Sequence, residues 1–388
     1  MKTTSDYIVT KYPPSKIMQL KSFTLSKLHA KVFKYKPELW QKYEVKSIRT
    51  LSLLFGMGLG LTFLITACSP NSTNNAGNNQ TSSPNEAANS SQSSRLTNSS
   101  TVIRIGYQKA ATVLYALKAK GELEKSLQKS GVSVTWTEFP AGPPMLEALN
   151  AGSIDFGYTG EAPPVFAQAA GTPLLYVAYD PLATKAEAII VHKDSPIKSV
   201  ADLKGKKVAF AKGSNTNYLI VKALEKVGLK YSDIKPTFLL PADARIAFEG
   251  KNVDAWAIWD PFLAAAQKAT DARILTDATG LAPNLGYYLA AKSFVDKNPE
   301  GLKTVLRDVD EVSKWAKNNP SDVAKLLSPV LGIDVGVLEI SERRRDYGVL
   351  PLTEEVINNQ QKVADTFYQL KLIPKQINVR EVVTKIDF

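Results

Sequence analysis

From Thr101 onward, short runs of β-branched and aromatic residues alternate with longer amphipathic stretches. Val102-Ile103-Arg104-Ile105-Gly106-Tyr107 and Val132-Ser133-Val134-Thr135-Trp136 read as strands, the second with period-two alternation. The residues between them, 112–129, read as one helix. Pro143 sits in the first turn of another helix that runs through Leu149, with Gly152 just beyond its end. Val208-Ala209-Phe210 is a further strand; a polar loop, Lys212-Gly213-Ser214-Asn215-Thr216-Asn217, follows it, and a helix is expected over Tyr218–Val227. Residues 292–388 are mostly helical in pattern, with a long amphipathic helix from Val356 to Leu370 before Pro374. Strand then helix, repeated, predicts an α/β fold with a mainly parallel sheet and ligands at the carboxyl ends of its strands.

The pattern repeats internally. Asp155, Glu161 and Gln168 recur as Asp254, Asp260 and Gln267, all at an offset of 99 residues. Around each set the order is helix end, Asp, strand, acidic residue, proline-started helix. Two lobes with corresponding pocket-facing edges are therefore expected: residues 101–186 and 287–388 in lobe one, 187–286 in lobe two. The chain should pass between lobes near Ala186–Val191 and Gly286–Ala291, β-rich segments suited to be hinge strands.

Upstream of this region the pattern changes twice. Residues 50–67 carry no charge, follow a basic segment, and end Ile65-Thr66-Ala67-Cys68, the order a lipoprotein signal peptidase accepts. Cys68, the single cysteine of the 388 residues, would then become a lipidated N-terminus after removal of a leader over 1–67. Residues 69–100 are almost all Ser, Asn, Thr, Gln and Gly, too poor in apolar surface to fold, and are expected to be a disordered tether. The charged stretch before the apolar run is longer than a signal peptide needs, and a start at Met18 would shorten it.

Charge follows the same division. The first 68 residues hold 11 Lys/Arg against 3 Asp/Glu, a net of +8, which leaves +3 of the whole chain's +11 for residues 69–388. The basic balance thus belongs to the leader and does not mark a nucleic-acid surface. Only His29 and His192 exist, and no nucleophile–base pair or clustered His/Cys set stands out, which argues against an enzyme, a cofactor or a metal. Two lobes behind an extracytoplasmic anchor describe a solute-binding protein.

Specific segments carry a resemblance. Glu138–Asn150, Gly152-Ser153-Ile154-Asp155, Ala162–Gly171, Ser199–Gly205, Pro241–Arg245, Asn252–Pro261, Ala364–Tyr368 and Ile373-Pro374-Lys375 resemble the aliphatic-sulfonate-binding proteins of ABC importers, across roughly residues 102–385. The resemblance implies a type II periplasmic-binding-protein fold: two αβ lobes joined by two hinge strands, with the ligand cleft between them. It also implies a monomer that closes on a small sulfonate and delivers it to an ABC permease and its ATPase for sulfur acquisition. Gly160-Glu161 stands where aspartate often follows the glycine, and Arg343-Arg344-Arg345-Asp346 replaces a proline-rich stretch. Related families bind taurine, nitrate or another small anion, and thiamine-precursor enzymes share the fold; these remain the alternatives.

A sulfonate is charged at every physiological pH, so a closed cleft must supply a donor to each oxygen. Helix N-termini do this, at about 0.3–1 kcal/mol each. Three segments fit: Gln108 and the residues after it, Thr159-Gly160-Glu161, and Gly213-Ser214-Asn215-Thr216. Asp260 is expected to cap a helix, orient donors or meet a ligand amine. Trp256 and Trp259, three apart on a strand, should face opposite sides; Trp259, nearer the carboxyl end, is the candidate wall for the alkyl part. Arg344 is a candidate guanidinium from the helical return of lobe one; the alternative is that the arginine run is a solvated surface or hinge-latch feature.

Overall fold

The computed structural model describes residues 101–388. The leader 1–67, Cys68 and the tether 69–100 lie outside the described residues.

Ten strands form two mixed sheets: β1 Val102–Tyr107, β2 Ser133–Glu138, β3 Phe156–Gly160, β4 Leu174–Asp180, β5 Glu187–Val191, β6 Lys207–Phe210, β7 Lys235–Phe238, β8 Ala255–Trp259, β9 Arg273–Asp277 and β10 Gly286–Ala291. The first sheet has the order β2-β1-β3-β10-β4, the second β7-β6-β8-β5-β9. β1 runs parallel to β2 and β3, and β6 to β7 and β8. One strand in each sheet is reversed: β10 lies antiparallel between β3 and β4, and β5 antiparallel between β8 and β9. The expected parallel sheet is therefore interrupted once per lobe, by the strand on which the chain arrives from the other lobe. The crossings themselves are the segments 181–186 and 278–285, just before β5 and β10.

The internal repeat has a structural counterpart. Asp155 takes the Arg104 N–H on Oδ2 at 2.8 Å and returns its own N–H to the Arg104 carbonyl at 2.7 Å. Asp254 makes the same brace with Lys207, at 2.7 and 2.9 Å. An aspartate thus locks the start of β3 to β1 in one lobe and of β8 to β6 in the other, which sets where their carboxyl ends emerge.

Alternation along β8 divides the packing of lobe two. Ala255 and Ala257 join the large core with Leu219, Ile220 and Phe210, whereas Trp256 and Ile258 face a second core with Phe248, Leu263 and Ile190. Trp256 is 1 % exposed, and burying so large a side chain stabilises by about 2–3 kcal/mol.

Two helices differ from their predicted spans. The helix expected over 112–129 is broken into Thr112–Lys120 and Glu122–Gln128, because Gly121 adopts φ 62° and its N–H closes on the Leu117 and Lys118 carbonyls. The helix expected from Tyr218 begins at Asn215 and ends at Lys226, so half of the polar loop is already its first turn. Helices Pro299–Asn318, Pro320–Leu331, Val335–Glu342 and Glu354–Gln369 make up most of the C-terminal return. Among the described residues no helix is long and apolar enough to cross a membrane, and no group of three His, Cys, Asp or Glu could hold a metal ion.

Candidate functional site

The carboxyl edges of β1, β3, β4, β6 and β8 and the starting edges of β5 and β10 face one cleft. Its wall takes Gln108 and Ala110 from the turn after β1, Gly142 from the start of helix Gly142–Asn150, and Thr159 and Gly160 from β3. It also takes Pro163 at the start of helix Ala162–Ala169, and Ser214 and Asn215 at the start of helix Asn215–Lys226. Four helix N-termini, counting Thr112–Lys120, therefore converge on the same space with their positive dipole ends. Trp259, Leu285 and Ala186 supply apolar wall, and Asp260, Asn284 and Arg345 further polar groups.

Seven of the eleven candidate positions lie on this wall: Gln108, Thr159, Gly160, Ser214, Asn215, Trp259 and Asp260. The other four stand behind it. Gly213, at φ 71°, turns the chain against the Phe166 ring. Thr216 is fully buried with its hydroxyl 2.8 Å from that of Ser214. Glu161 is fully buried beneath Gly160 in sequence, its Oε2 accepting the Leu285 N–H at 3.0 Å. Arg344 spans the lobes instead of facing the cleft: Nη1 reaches both Asp260 oxygens at 3.3 Å and Nη2 donates to Gln267 Oε1 at 2.6 Å.

The guanidinium on the cleft wall is that of the next residue. Arg345 donates to the Ala110 carbonyl at 2.7 Å, Thr112 Oγ1 at 3.1 Å, the Tyr158 hydroxyl at 3.3 Å and Asp180 Oδ2 at 3.0 Å, and its buried Nε has no protein partner. Burial opposes its charge, but Tyr158, Asp180 and Glu342 outweigh that and hold it cationic. Burial lifts the Asp180 and Glu342 carboxyls above their ordinary values, against the pull of Arg345. Arg345, Asp180, Tyr158 and Asn284 were not among the sequence candidates. Asp180 and Tyr158 carry a usable signal, since both lie at or near the carboxyl ends of strands.

Asp260 is held from both lobes. Its Oδ1 accepts the Ala264 N–H at 2.9 Å in the first turn of helix Phe262–Thr270, although the N-cap is Pro261 and not Asp260 as expected, and Arg344 pairs with it from the other lobe. Burial still raises it to about 6, with Arg344 pulling the other way.

Asn215 also bridges the lobes. Its Oδ1 accepts the Ala162 N–H at 3.3 Å, and its Nδ2 donates to Asn284 Oδ1 at 2.8 Å, while Asn284 Nδ2 donates to the Ala183 carbonyl at 2.8 Å. The first turn of a lobe-two helix is thereby linked to the first turn of a lobe-one helix and, through Asn284, to both crossings. Gly160 makes room for this: a Cβ there would collide with the Asn215 amide.

Comparison with known proteins agrees with this architecture. The NMT1/THI5-like family matches residues 124–323. An Escherichia coli (strain K12) protein named for aliphatic sulfonate binding is 46 % identical over 280 residues, 72 % of this chain and 87 % of that protein. A Bacillus subtilis (strain 168) protein of the same name is 34 % identical over 284 residues, 72 % and 85 % of the two chains. Among solved structures, the alkanesulfonate-binding protein from Xanthomonas axonopodis pv. citri, bound to MOPS, superimposes with a TM-score of 0.71 at 41 % identity, over 73 % of this chain and 98 % of that one. These relatives are binding proteins of transporters, not enzymes. The chain belongs to the NMT1/THI5-like family, in the group of aliphatic-sulfonate-binding proteins that serve ABC importers.

Proposed function

We propose that this chain captures short aliphatic sulfonates between its lobes outside the cytoplasm and delivers them to an ABC permease, held at the membrane by a lipid on Cys68. The observation that carries the reading is the cleft wall itself: a buried guanidinium with a free Nε–H, four convergent helix N-termini, and an apolar flank of Trp259 and Leu285. A dehydrated sulfonate needs donors on three oxygens at once, which the Arg345 Nε, the Thr159 hydroxyl, the amides of Gln108 and Asn215 and the backbone N–H groups of the helix N-termini can offer together. Gly142 and Gly160 leave room for Thr159 and Asn215 to pack into the cleft wall. The alkyl chain lies along Trp259, each buried methylene adding about 0.8 kcal/mol. Gly213, Thr216, Glu161 and Arg344 hold these groups in place from behind. The tether of about 32 residues spans on the order of 30 Å as a coil, keeping the domain near its permease at high local concentration.

Calorimetry with ethane- to octanesulfonate, taurine, sulfate and nitrate tests the ligand class. Saturable binding of alkanesulfonates, tighter than nitrate and taurine, is expected. A response to nitrate or taurine with none to alkanesulfonates overturns the reading. In cells fed a fatty-acid label, the protein should carry the label and Cys68→Ser should not; equal labelling of both removes the anchor from the proposal.

A further inference from the structure

Glu161 and Glu187 flank the lobe junction from its two sides. Glu161 follows β3 in lobe one, and Glu187 opens β5 where the chain enters the second sheet. Both are 0 % exposed, and the charge of Glu161 opposes ionisation of Glu187. The Leu285 N–H fastens Glu161 Oε2 to the second crossing, but Glu161 Oε1 and both oxygens of Glu187 have no partner. The surrounding titratable groups are tyrosines. Tyr218 comes from helix Asn215–Lys226 and Tyr287 from β10, and Glu161 opposes the ionisation of both. Tyr176, on β4, shares the Gln360 Nε2 donor with the Glu161 carbonyl. No lysine, arginine or histidine is among the groups that shift either carboxyl.

The contrast with the other buried carboxylates is chemical. Asp180 has Arg345 and Asp260 has Arg344; the Glu161–Glu187 pair has no counter-charge in place. Two dehydrated carboxyls at one junction, with no cation beside them, cannot both stay ionised, and the charge they lack has to come from protons. We propose that closing the lobes places a proton on the Glu161–Glu187 pair, so that ligand capture is coupled to proton uptake and weakens as pH rises.

The direction is set by which form holds the proton more tightly. The coupling requires that opening the lobes admit water to the pair, so that each carboxyl then ionises closer to its ordinary 4.5. Burial in the closed form lifts Glu161 to about 8 and moves Glu187 upward too, with Glu161 adding to the burial. At pH values below the ordinary one both forms are protonated and closure is unopposed. Between there and about 8, each pH unit weakens closure by up to about tenfold for each proton taken up. Above that, the dependence on Glu161 levels off.

The choice of probe rests on the sulfonate reading of the cleft. 1-Butanesulfonate has no titratable proton in this range, so any proton exchanged belongs to the protein. Calorimetry at pH 7 to 8 in phosphate and in Tris, whose ionisation enthalpies differ, reads that exchange above the range in which Asp260 titrates. Uptake of about one proton per ligand is expected, with Kd rising several-fold per pH unit, and Glu187→Gln should remove at least half of both effects. Binding without proton uptake, or a Kd that follows sodium or calcium concentration instead of pH, overturns the coupling. Absence of butanesulfonate binding at every pH overturns the sulfonate reading instead. The pair is then tested by thermal unfolding in the presence of whichever anion of the calorimetry panel binds, which holds the lobes together: Glu187→Gln should gain stability over the unsubstituted protein at pH 8 relative to pH 5, and an equal difference at both pH values overturns the protonated pair.

Discussion

Lobe one and lobe two share a strand order and a repeat of 99 residues, yet they treat equivalent positions in opposite ways. Gly160, at the end of β3, corresponds to Trp259 at the end of β8; the first leaves a gap that Asn215 fills, and the second fills its own side of the cleft. Glu161 corresponds to Asp260. Glu161 is buried with no cation and tied to the crossing at Leu285, whereas Asp260 is buried against Arg344 from the other lobe. Gln168 corresponds to Gln267: one donates to the Asn378 carbonyl within its own lobe at 2.8 Å, and the other accepts from Arg344 across the cleft. The architecture is duplicated, but interlobe chemistry is concentrated on one set of copies. A cleft that opens and closes needs that asymmetry, because identical copies would offer each lobe the same charge and the same shape.

The largest expected effect comes from making Asp260 resemble Glu161. Arg344→Ala removes its counter-charge and leaves the Asp260 side chain, 4 % exposed, without a cation. Breaking a fully buried pair costs about 3–5 kcal/mol; Arg344 keeps a fifth of its side chain in water, so roughly 2–3 kcal/mol is expected here. The loss is a function of pH. Burial already holds Asp260 at about 6, above its ordinary 3.8, and without Arg344 it moves higher. A raised carboxyl destabilises the form that buries it increasingly as pH climbs from the ordinary value through the raised one. Denaturant unfolding in saturating ligand, which holds the lobes together, should therefore show a larger deficit at pH 8 than at pH 5. Equal deficits would mean that Arg344 acts only by packing and that the two acids never differed in charge environment.

A smaller effect tests the gap. Gly160→Ala puts a methyl group where the Asn215 amide sits in the closed form. Overpacking of this kind costs about 1–3 kcal/mol, and here the lobes can relieve it by staying apart. The variant should therefore keep its unfolding stability while losing about ten- to a hundredfold in sulfonate affinity, with a larger radius of gyration in the presence of ligand. Asn215→Ala in the same chain should recover part of the affinity. A Gly160→Ala protein that binds and closes normally would show that Asn215 can move aside at no cost.

The sequence made the scaffold readable because its signals are local and repeated. The alternation through Val134 and Trp136 and the recurring aspartates at 155 and 254 can be read without knowing the tertiary structure, and so can the polar turn at Ser214–Asn215. The site was less readable for a geometric reason. In Arg343-Arg344-Arg345, three identical side chains follow one another just past the end of helix Val335–Glu342, where successive residues point in different directions. No pattern distinguishes the one that spans the lobes from the one on the cleft wall. Glu161 is adjacent to Gly160, but the strand ends between them and the next side chain turns inward. Asn284 and Leu285 come from a crossing with no periodicity, and what they face is fixed only once both sheets are in place.

The smallest effect separates the two glutamines, which differ in what they hold more than in how strongly. Gln168→Ala and Gln267→Ala each delete one hydrogen bond, worth about 0.5–1.5 kcal/mol, so unfolding alone will hardly tell them apart. Their partners lie in different places. Asn378 belongs to the same lobe as Gln168, and losing that bond should lower unfolding stability slightly while leaving ligand kinetics unchanged. Arg344 crosses to Gln267 only when the lobes are together, so Gln267→Ala weakens the closed form and not the open one. Because closure follows encounter, the change should appear as a dissociation rate about two- to tenfold faster, with the association rate nearly constant. Stopped-flow measurements on both variants decide the point: matching dissociation rates would mean that Gln267 is a surface contact like Gln168, and the asymmetry between the lobes would then rest on Gly160 and the two acids alone.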